Sequence, residues 1–336
     1  MYRLILSVGA LFLGLFLLWR ASDKAVECAL LLSYLYKVKT LFIGFALISV
    51  ATGIPELFVA ISSIVNNVPI ISAGDIIGSN LGDVSLVLGI PLLITGKILL
   101  ARREVASALA MLLVTAFVMG LVFFLGTLQW WEGLILIIVY FVCIWILWKR
   151  KTLIEAGGSA AEIQEKEYTL KVDKRTVKGK FWSSKRGVWT RFILWLLVVL
   201  VASEMLVRSA LFIVSFLPVG IEVVGATIFA LGTSLPELSL SIIAVRKKEY
   251  GLALGNSFGS VLVQGTLILG LLSVFSRKPI DLSVFRPIAP FMFLAYGIVG
   301  FGLVRNNKLN RKEGVLLVGT FVAFFVYYVL SSLGVL

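Results

Sequence analysis

The sequence contains no histidine and only two cysteines, and just 15% of its 336 residues are Asp, Glu, Lys or Arg. Without an imidazole, every mechanism that needs histidine as base, proton shuttle or metal ligand is excluded. Cys28 and Cys143 each lie in an apolar stretch, with no metal-type spacing and no reason to meet. They read as small core residues, which excludes a disulfide scaffold. Polar surface is scarce too: 60% of the residues are hydrophobic, against about 45–50% in an average soluble domain. A water-soluble chain of this length could not hide so much apolar surface in one core, so a cytosolic enzyme and a disordered tail are both disfavoured. What the chain has in excess is positive charge, with 31 Lys and Arg against 18 Asp and Glu, a net +13. That sum fits either a nucleic-acid binder or a membrane protein with basic loops, and position must decide between them.

A bilayer-crossing helix needs about 20 mainly apolar residues. Runs of that kind fall near 4–35, 39–66, 70–95, 104–125 and 129–148, and again near 190–217, 219–245, 250–275, 284–304 and 313–333. The expected fold is an all-α membrane protein of ten transmembrane helices, five in residues 1–149 and five in 189–336. Between them, 150–188 holds Gly157-Gly158 and mixed charge, and reads as a solvated loop too small to be a domain. Residues 4–19 could pass for a signal peptide behind Arg3, but no small-residue cleavage site follows them.

The basic residues set the orientation. With the N-terminus outside, the loops facing the cytoplasm hold Lys37 and Lys39; Lys97, Arg102 and Arg103; twelve residues from Lys149 to Arg191; Arg246, Lys247 and Lys248; and Arg305, Lys308, Arg311 and Lys312. Those are 24 residues, against four outside: Arg3, Arg277, Lys278 and Arg286. This positive-inside bias accounts for most of the net charge without nucleic acid. It predicts a cell-membrane protein with both termini extracytoplasmic and the 150–188 loop cytoplasmic.

Shifted by 181 residues without a gap, the two halves align. Gly44 falls on Gly225, Thr52 on Thr233, and Pro55-Glu56-Leu57 on Pro236-Glu237-Leu238. Gly74 meets Gly255, Gly78-Ser79 meets Gly259-Ser260, Leu88-Gly89 meets Leu269-Gly270, and Asp23 meets Glu204. Because each half has an odd number of helices, the two repeats are expected to be inverted in the membrane. That is the plan of secondary transporters, whose site lies near the midplane between the repeats.

Ionisable groups inside a bilayer are costly, so each is a functional candidate. Here they are Glu56, Asp75, Asp83, Glu237 and the first-helix residues Asp23 and Glu204. Glu56 and Glu237 each follow a proline in mid-membrane, and a proline there frees carbonyls one turn earlier. Those carbonyls lie near Ala51 and Thr52, with Ser49 in reach, and near Gly232 and Thr233. A kink offering carbonyls, hydroxyls and a carboxylate suits a hard cation such as Ca²⁺ or Na⁺. The second element is Gly74-Asp75-Ile76-Ile77-Gly78-Ser79-Asn80-Leu81-Gly82-Asp83, matched by Gly255-Asn256-Ser257-Phe258-Gly259-Ser260-Val261-Leu262-Val263-Gln264. Its glycines suit close helix packing. The i to i+4 spacing of Ser79 with Asp83, and of Ser260 with Gln264, places each pair on one helix face. That face is expected to meet the Glu of the preceding helix.

These motifs resemble the two alpha-repeats of the cation/calcium antiporter superfamily, and most closely small prokaryotic members of its sodium/calcium exchanger branch. The matching stretches cover about 40–90 and 221–271, and the ten-helix plan extends the likeness to the whole chain. The resemblance implies a transporter, not an enzyme, that exports Ca²⁺ against inward Na⁺ by alternating access; another branch uses H⁺. It implies ion sites built from Glu56 and Glu237 with Thr52, Thr233, Ser234, Ser79 and Ser260, from Asp83 and Gln264, and from the carbonyls of Ser49 and Ala230. Its partners are then inorganic cations and the lipid bilayer, with no cofactor, no nucleic acid, and a single chain as the working unit.

Three positions depart from the family pattern. Gly53 stands where Ser is usual, Gln264 where Asp is usual, and Asp75 where Asn is usual; Asn256 keeps that Asn in the second repeat. Asp83 restores the missing acid in the other half. These three, as accessory positions, bear on the coupling ion more than on Ca²⁺. Two carboxylates balance one Ca²⁺, two Na⁺ or two H⁺, so H⁺/Ca²⁺ exchange or transport of a related divalent ion stays open. An intramembrane aspartyl protease also uses membrane carboxylates. Its Gly-x-Gly-Asp pattern is broken here by Asn80, however, and Asp83 is matched by Gln264 rather than by a second Asp. The 150–188 segment lacks an acidic Ca²⁺-loop motif, so no Ca²⁺-sensing domain is expected there. The charges of the first helices, Asp23, Lys24 and Glu27 with Glu204 and Arg208, read equally as interfacial anchors or as parts of a sliding gate.

Overall fold

The computed structural model describes residues 2–36, 38–100, 102–149, 184–214, 232–276 and 278–332. Helix α1 runs Tyr2–Tyr36. A single span follows, made of α2 (Thr40–Ile43), a π-helical turn (Gly44–Ile48), α3 (Ser49–Thr52) and α4 (Ile54–Val65). Then come α5 (Pro69–Thr95), β1 (Lys97–Leu99), α6 (Arg102–Leu125), β2 (Thr127–Leu128) and α7 (Trp130–Lys149). The second half holds α8 (Lys185–Val214), α9 (Leu235–Arg246) and α10 (Tyr250–Leu262), which runs through a second π turn (Val263–Ile268) into α11 (Leu269–Phe275). It ends with β3 (Ile280–Asp281), a 3₁₀ turn (Ser283–Ile288), α12 (Ala289–Asn306), β4 (Lys308–Asn310) and α13 (Arg311–Ser332).

The described structure is thus nearly all helical. Seven stretches are long and apolar enough to cross a bilayer: Thr40–Val65, Pro69–Thr95, Glu104–Leu125, Trp130–Leu147, Lys185–Leu206, Tyr250–Phe275 and Ser283–Arg305. The first part of the run expected at 219–245, with Ala230, lies outside the described residues, as does most of the 150–188 loop. The helix expected from 190 begins earlier, at Lys185. The Gly187 amide donates to the Ser184 hydroxyl at 3.1 Å, the bond of an N-cap serine to the third helical residue.

The elements recur at the spacing read from the sequence. Ile54–Val65 and Leu235–Arg246 lie 181 residues apart at both ends, and so do Arg102–Leu125 and the Ser283–Asn306 segment. The turn residues Asn67 and Lys248, both left-handed at φ 57° and 64°, have the same separation. Two strand pairs, absent from the all-α expectation, reveal relative direction. β1 pairs antiparallel with β4, and β2 with β3. Helix α6 therefore runs from the first sheet to the second, while α12, its counterpart, runs from the second back to the first. The two equivalent helices point in opposite directions.

Glycine decides the helix contacts. Gly89 of α5 faces Gly314 of α13 and Gly133 of α7 faces Gly270 of α11, each close enough that an added Cβ would lie 2.7–3.2 Å from the opposing glycine's carbonyl oxygen. These two contacts are again 181 residues apart. At the centre, α10 crosses the first π turn so closely that a Cβ on Gly255 would lie 2.1 Å from the Leu41 carbonyl oxygen. Helix α10 is buried along Gly251–Leu262, and α5 over most of Ser72–Leu92. Helices α1 and α8 pack on each other outside this core, through Leu18, Ala21, Val199, Ala202 and Leu206.

A buried carboxylate cluster as candidate ion site

Both conserved-spacing kinks take the same form. At Gly53 (φ −74°, ψ 3°) and Ser234 (φ −82°, ψ 0°) the helix breaks for one residue, and a proline opens the next helix. Proline has no amide hydrogen, so the carbonyl four residues before it loses its helical donor. Backbone bonding resumes where Leu57 donates to Gly53 (3.1 Å) and Leu238 donates to Ser234 (3.0 Å). Glu56 and Glu237 thus stand in the first turns of α4 and α9, where the helix dipole favours negative charge.

Glu56, Glu237 and Asp83 are wholly buried. The Gln264 amide donates to Glu56 Oε1 at 3.4 Å, while Glu56 Oε2 and both carboxylate oxygens of Glu237 and of Asp83 have no hydrogen-bond partner. Asp75 accepts from the Thr233 hydroxyl at 3.4 Å through Oδ1, and its Oδ2 has none. No Lys or Arg among the described residues pairs with any of the four. Nor do they gather as a ready-made cluster of three or more His, Cys, Asp or Glu ligands. The neutral oxygens around them are therefore as important as the acids. Ser260 Oγ, Ser234 Oγ, Gln264 Oε1 and Asn256 Oδ1 are also buried without a hydrogen-bond partner. A buried polar oxygen left unpaired costs about 1–3 kcal/mol, and more if charged, so this many together calls for something positive among them.

The partners are exchanged between the halves. Ser79 of α5 shares a 3.1 Å hydrogen bond with Thr233, and Ser234 Oγ sits 3.6 Å from where a Cβ on Gly82 would be. Gln264 reaches Glu56 rather than Glu237, and the Ser257 hydroxyl donates to the Asp83 carbonyl at 2.5 Å. The Ser79 and Gln264 faces thus meet the kink of the other repeat, not that of the helix before them. Asn256 alone bonds within its own half, donating to the Glu237 carbonyl and the Ser241 hydroxyl, each at 3.0 Å. Ser49 donates to the Phe45 carbonyl, and Thr52 donates to the Ile48 carbonyl at 3.1 Å. Gly53 lies in the break against the Ser49 carbonyl and the side chains of Val263 and Ile268.

Two features escaped the sequence reading. Gln264 sits in a π turn, where one extra residue per turn re-aims a side chain, a form common at functional sites. Asn80 is fully buried, spends its amide on the weak acceptor Met119 Sδ at 3.3 Å, and leaves Oδ1 unpaired. Its only sequence signal is a polar residue one turn before Asp83; its counterpart Val261 is apolar.

Fold and site together define a multi-pass membrane protein built around buried acids that no basic residue neutralises. The chain belongs to the sodium/calcium exchanger protein family, whose model matches residues 6–149 and 187–330, two segments that are themselves 181 residues apart. It is a sodium/calcium exchanger-like member of the cation/calcium antiporter superfamily, of the prokaryotic type. It is 28% identical over 331 residues to the inner membrane protein YrbG of Escherichia coli, covering 96% of both chains. It is 26% identical over 351 residues to the sodium/calcium exchanger MaX1 of Methanosarcina acetivorans, covering 94% of this chain and 96% of that one. The solved sodium-calcium exchanger NCX_Mj, soaked with Na⁺ and Sr²⁺, superposes with a TM-score of 0.77 at 25% identity, covering 95% of this chain and 98% of that chain.

Proposed function

We propose that the protein is a Na⁺/Ca²⁺ antiporter working by alternating access, with ten spans in two inverted five-helix repeats. The observation that carries this is the set of buried, unpartnered carboxylate oxygens of Glu56, Glu237 and Asp83, with no protein cation beside them. Ca²⁺ takes six to eight oxygens, and this site offers them as carboxylates, hydroxyls, amides and freed carbonyls. In this reading Glu56 and Glu237 bridge Ca²⁺. Thr52, Thr233, Ser234, Ser79, Ser260, Asp83, Gln264 and the carbonyls of Ser49 and Ala230 complete the Ca²⁺ and Na⁺ positions, with Asp75 and Asn256 at the edge. Two full sets of cations cannot neutralise one set of charges, so occupancy by one ion expels the other. The opposed α6 and α12 support the inverted repeat. The β1–β4 end, flanked by Lys97, Arg305, Lys308, Arg311 and Lys312, is the cytoplasmic one on the basic-residue bias, which puts both termini outside.

Binding tests this without transport. In Na⁺-free detergent, Ca²⁺ at about a hundred times its dissociation constant stabilises the fold by about 2.7 kcal/mol. The melting temperature is expected to rise with Ca²⁺ and the rise to shrink as Na⁺ is added. Absence of any Ca²⁺-dependent shift contradicts the reading. Asp83→Asn is expected to weaken binding about tenfold, worth about 1.4 kcal/mol, and to leave the ion-free protein no less stable, because the carboxylate oxygens it replaces make no hydrogen bond. Calorimetric titration and ion-free melting measure the two halves of that expectation.

A further inference from the structure

The two repeats are not in equivalent positions in this structure, and the difference is held by charge. Helix α1 packs along α9; by the 181-residue offset the counterpart contact is α8 against α4, and among the described residues no comparable packing joins those two. The α1–α9 contact is polar. Lys247, the residue capping the end of α9, lies 2.8 Å from Asp23 Oδ1 and 3.1 Å from Glu27 Oε1. Lys24 holds the other oxygen of Glu27 at 2.8 Å. The Arg246 guanidinium stacks 4.6 Å from the Trp19 ring centre, and the Ser22 and Ser239 hydroxyls lie 2.8 Å apart. These charges are shielded: the Lys247, Asp23 and Glu27 side chains keep 19%, 27% and 17% of their exposure.

The counterpart positions cannot make the same contact. Asp23 corresponds to Glu204 and Glu27 to Arg208, but Lys247 corresponds to Asn66, Arg246 to Val65, Ser239 to Phe58 and Trp19 to Leu200. Glu204 and Arg208 bond each other on an open surface, with side chains 59% and 78% exposed. Phe58 and Val65 on α4 are 68% and 72% exposed.

We propose that Lys247, Asp23 and Glu27 form a one-sided clasp that positions α1 against α9 in one of the two access states. The inference rests on the alternating-access reading given above. An inverted-repeat exchanger reaches its other state by exchanging the conformations of its halves, which parts α1 from α9 and brings α8 onto α4. Only the first state gains the shielded ion network, since α4 offers Asn66 and Val65 where α9 offers Lys247 and Arg246. The exchanger therefore rests with the Lys247 end closed, and the clasp sets the ratio of the two states rather than the affinity of the ion site. Lys247, Asp23 and Glu27 are positioning residues and touch no transported ion.

Disulfide trapping in proteoliposomes tests this, with Cys28→Ser and Cys143→Ser removing the native thiols. Ser22→Cys with Ser239→Cys reports the clasped state. Phe58→Cys with Ser203→Cys, the counterpart pair, reports the other. Lys247→Met is expected to lower trapping of the first pair and raise trapping of the second, changing their ratio about three- to tenfold. Lys247→Arg should keep the parent ratio, because it keeps the charge. An unchanged ratio overturns the clasp, and so does a fall in both pairs together, which is general loosening. If the second pair is trapped in no protein under any Na⁺ or Ca²⁺ condition, the alternating-access reading fails and takes the clasp with it. An unchanged ratio with both pairs forming removes the clasp alone.

Discussion

Glu56→Gln and Glu237→Gln are each expected to bring Ca²⁺ flux to background, a loss of at least about a hundredfold, or about 2.7 kcal/mol. Glutamine keeps the size of the side chain and one ligand oxygen but removes the charge. A divalent ion taken out of water is stabilised only if its charge is matched, because the uncompensated cost of a buried charge is several kcal/mol. With one of two bridging carboxylates neutral, the occupied site carries an extra positive charge through the apolar middle of the protein. The fold should survive. Glu237 makes no side-chain hydrogen bond, and Glu56 has only a long one from Gln264, so little packing or bonding is lost. Size-exclusion profiles and helical circular dichroism unchanged from the parent, together with absent flux, are the expected pair of results. A variant that loses its fold would instead make the carboxylate structural, and a variant that transports normally would remove it from the site.

Gly255→Leu is expected to abolish folding, for a steric reason unconnected with ions. An added Cβ there would lie 2.1 Å from the Leu41 carbonyl oxygen and 2.9 Å from the Phe45 amide nitrogen. From the other side, a Cβ on Gly44 would lie 2.4 Å from the Leu252 carbonyl oxygen. Both obstacles are backbone, so no rotamer change relieves them and the helices must separate. Overpacking ordinary cores costs about 1–3 kcal/mol; here even Gly255→Ala should exceed that range and lower Tm by about 10 °C. Gly74, the sequence counterpart of Gly255, faces only the Phe285 ring at 3.1 Å, and Gly297 has nothing within 4 Å. Gly74→Ala should be milder than Gly255→Ala, and Gly297→Ala close to neutral. Thermal melting of the four purified proteins checks the order.

That contrast shows which parts of the molecule were legible beforehand. The constant offset, the kinks before Glu56 and Glu237, and the burial of the acids follow from residues close together in the chain. Periodicity and proline report such local facts directly. Cross-half partnerships are different. Nothing in the spacing of Ser79 or Gln264 says that the one meets Thr233 and the other Glu56, because those contacts depend on how inverted halves dock. The π turn at Gln264 is equally hidden, since one extra residue in a turn leaves no trace in an apolar sequence. The strands at Thr127–Leu128 and Ile280–Asp281 are too short to show alternation. Asn80 was overlooked because its repeat mate is Val261, and the comparison of halves favours positions where both are polar. The asymmetry of α1 on α9 is a property of one state, which a sequence common to both states does not encode.

The central claim is that buried carboxylates exchange Ca²⁺ for Na⁺ across the membrane. With no histidine in the chain, any coupling to protons would have to pass through those same acids. Ca²⁺ uptake into proteoliposomes, measured under a Na⁺ gradient and separately under a pH gradient, tests it most directly. Ca²⁺ accumulation driven by outward-directed Na⁺, and lost when both Glu56 and Glu237 are replaced by Gln, is the predicted result. Uptake driven by a pH gradient and indifferent to Na⁺, or uptake that persists in the double variant, would contradict it.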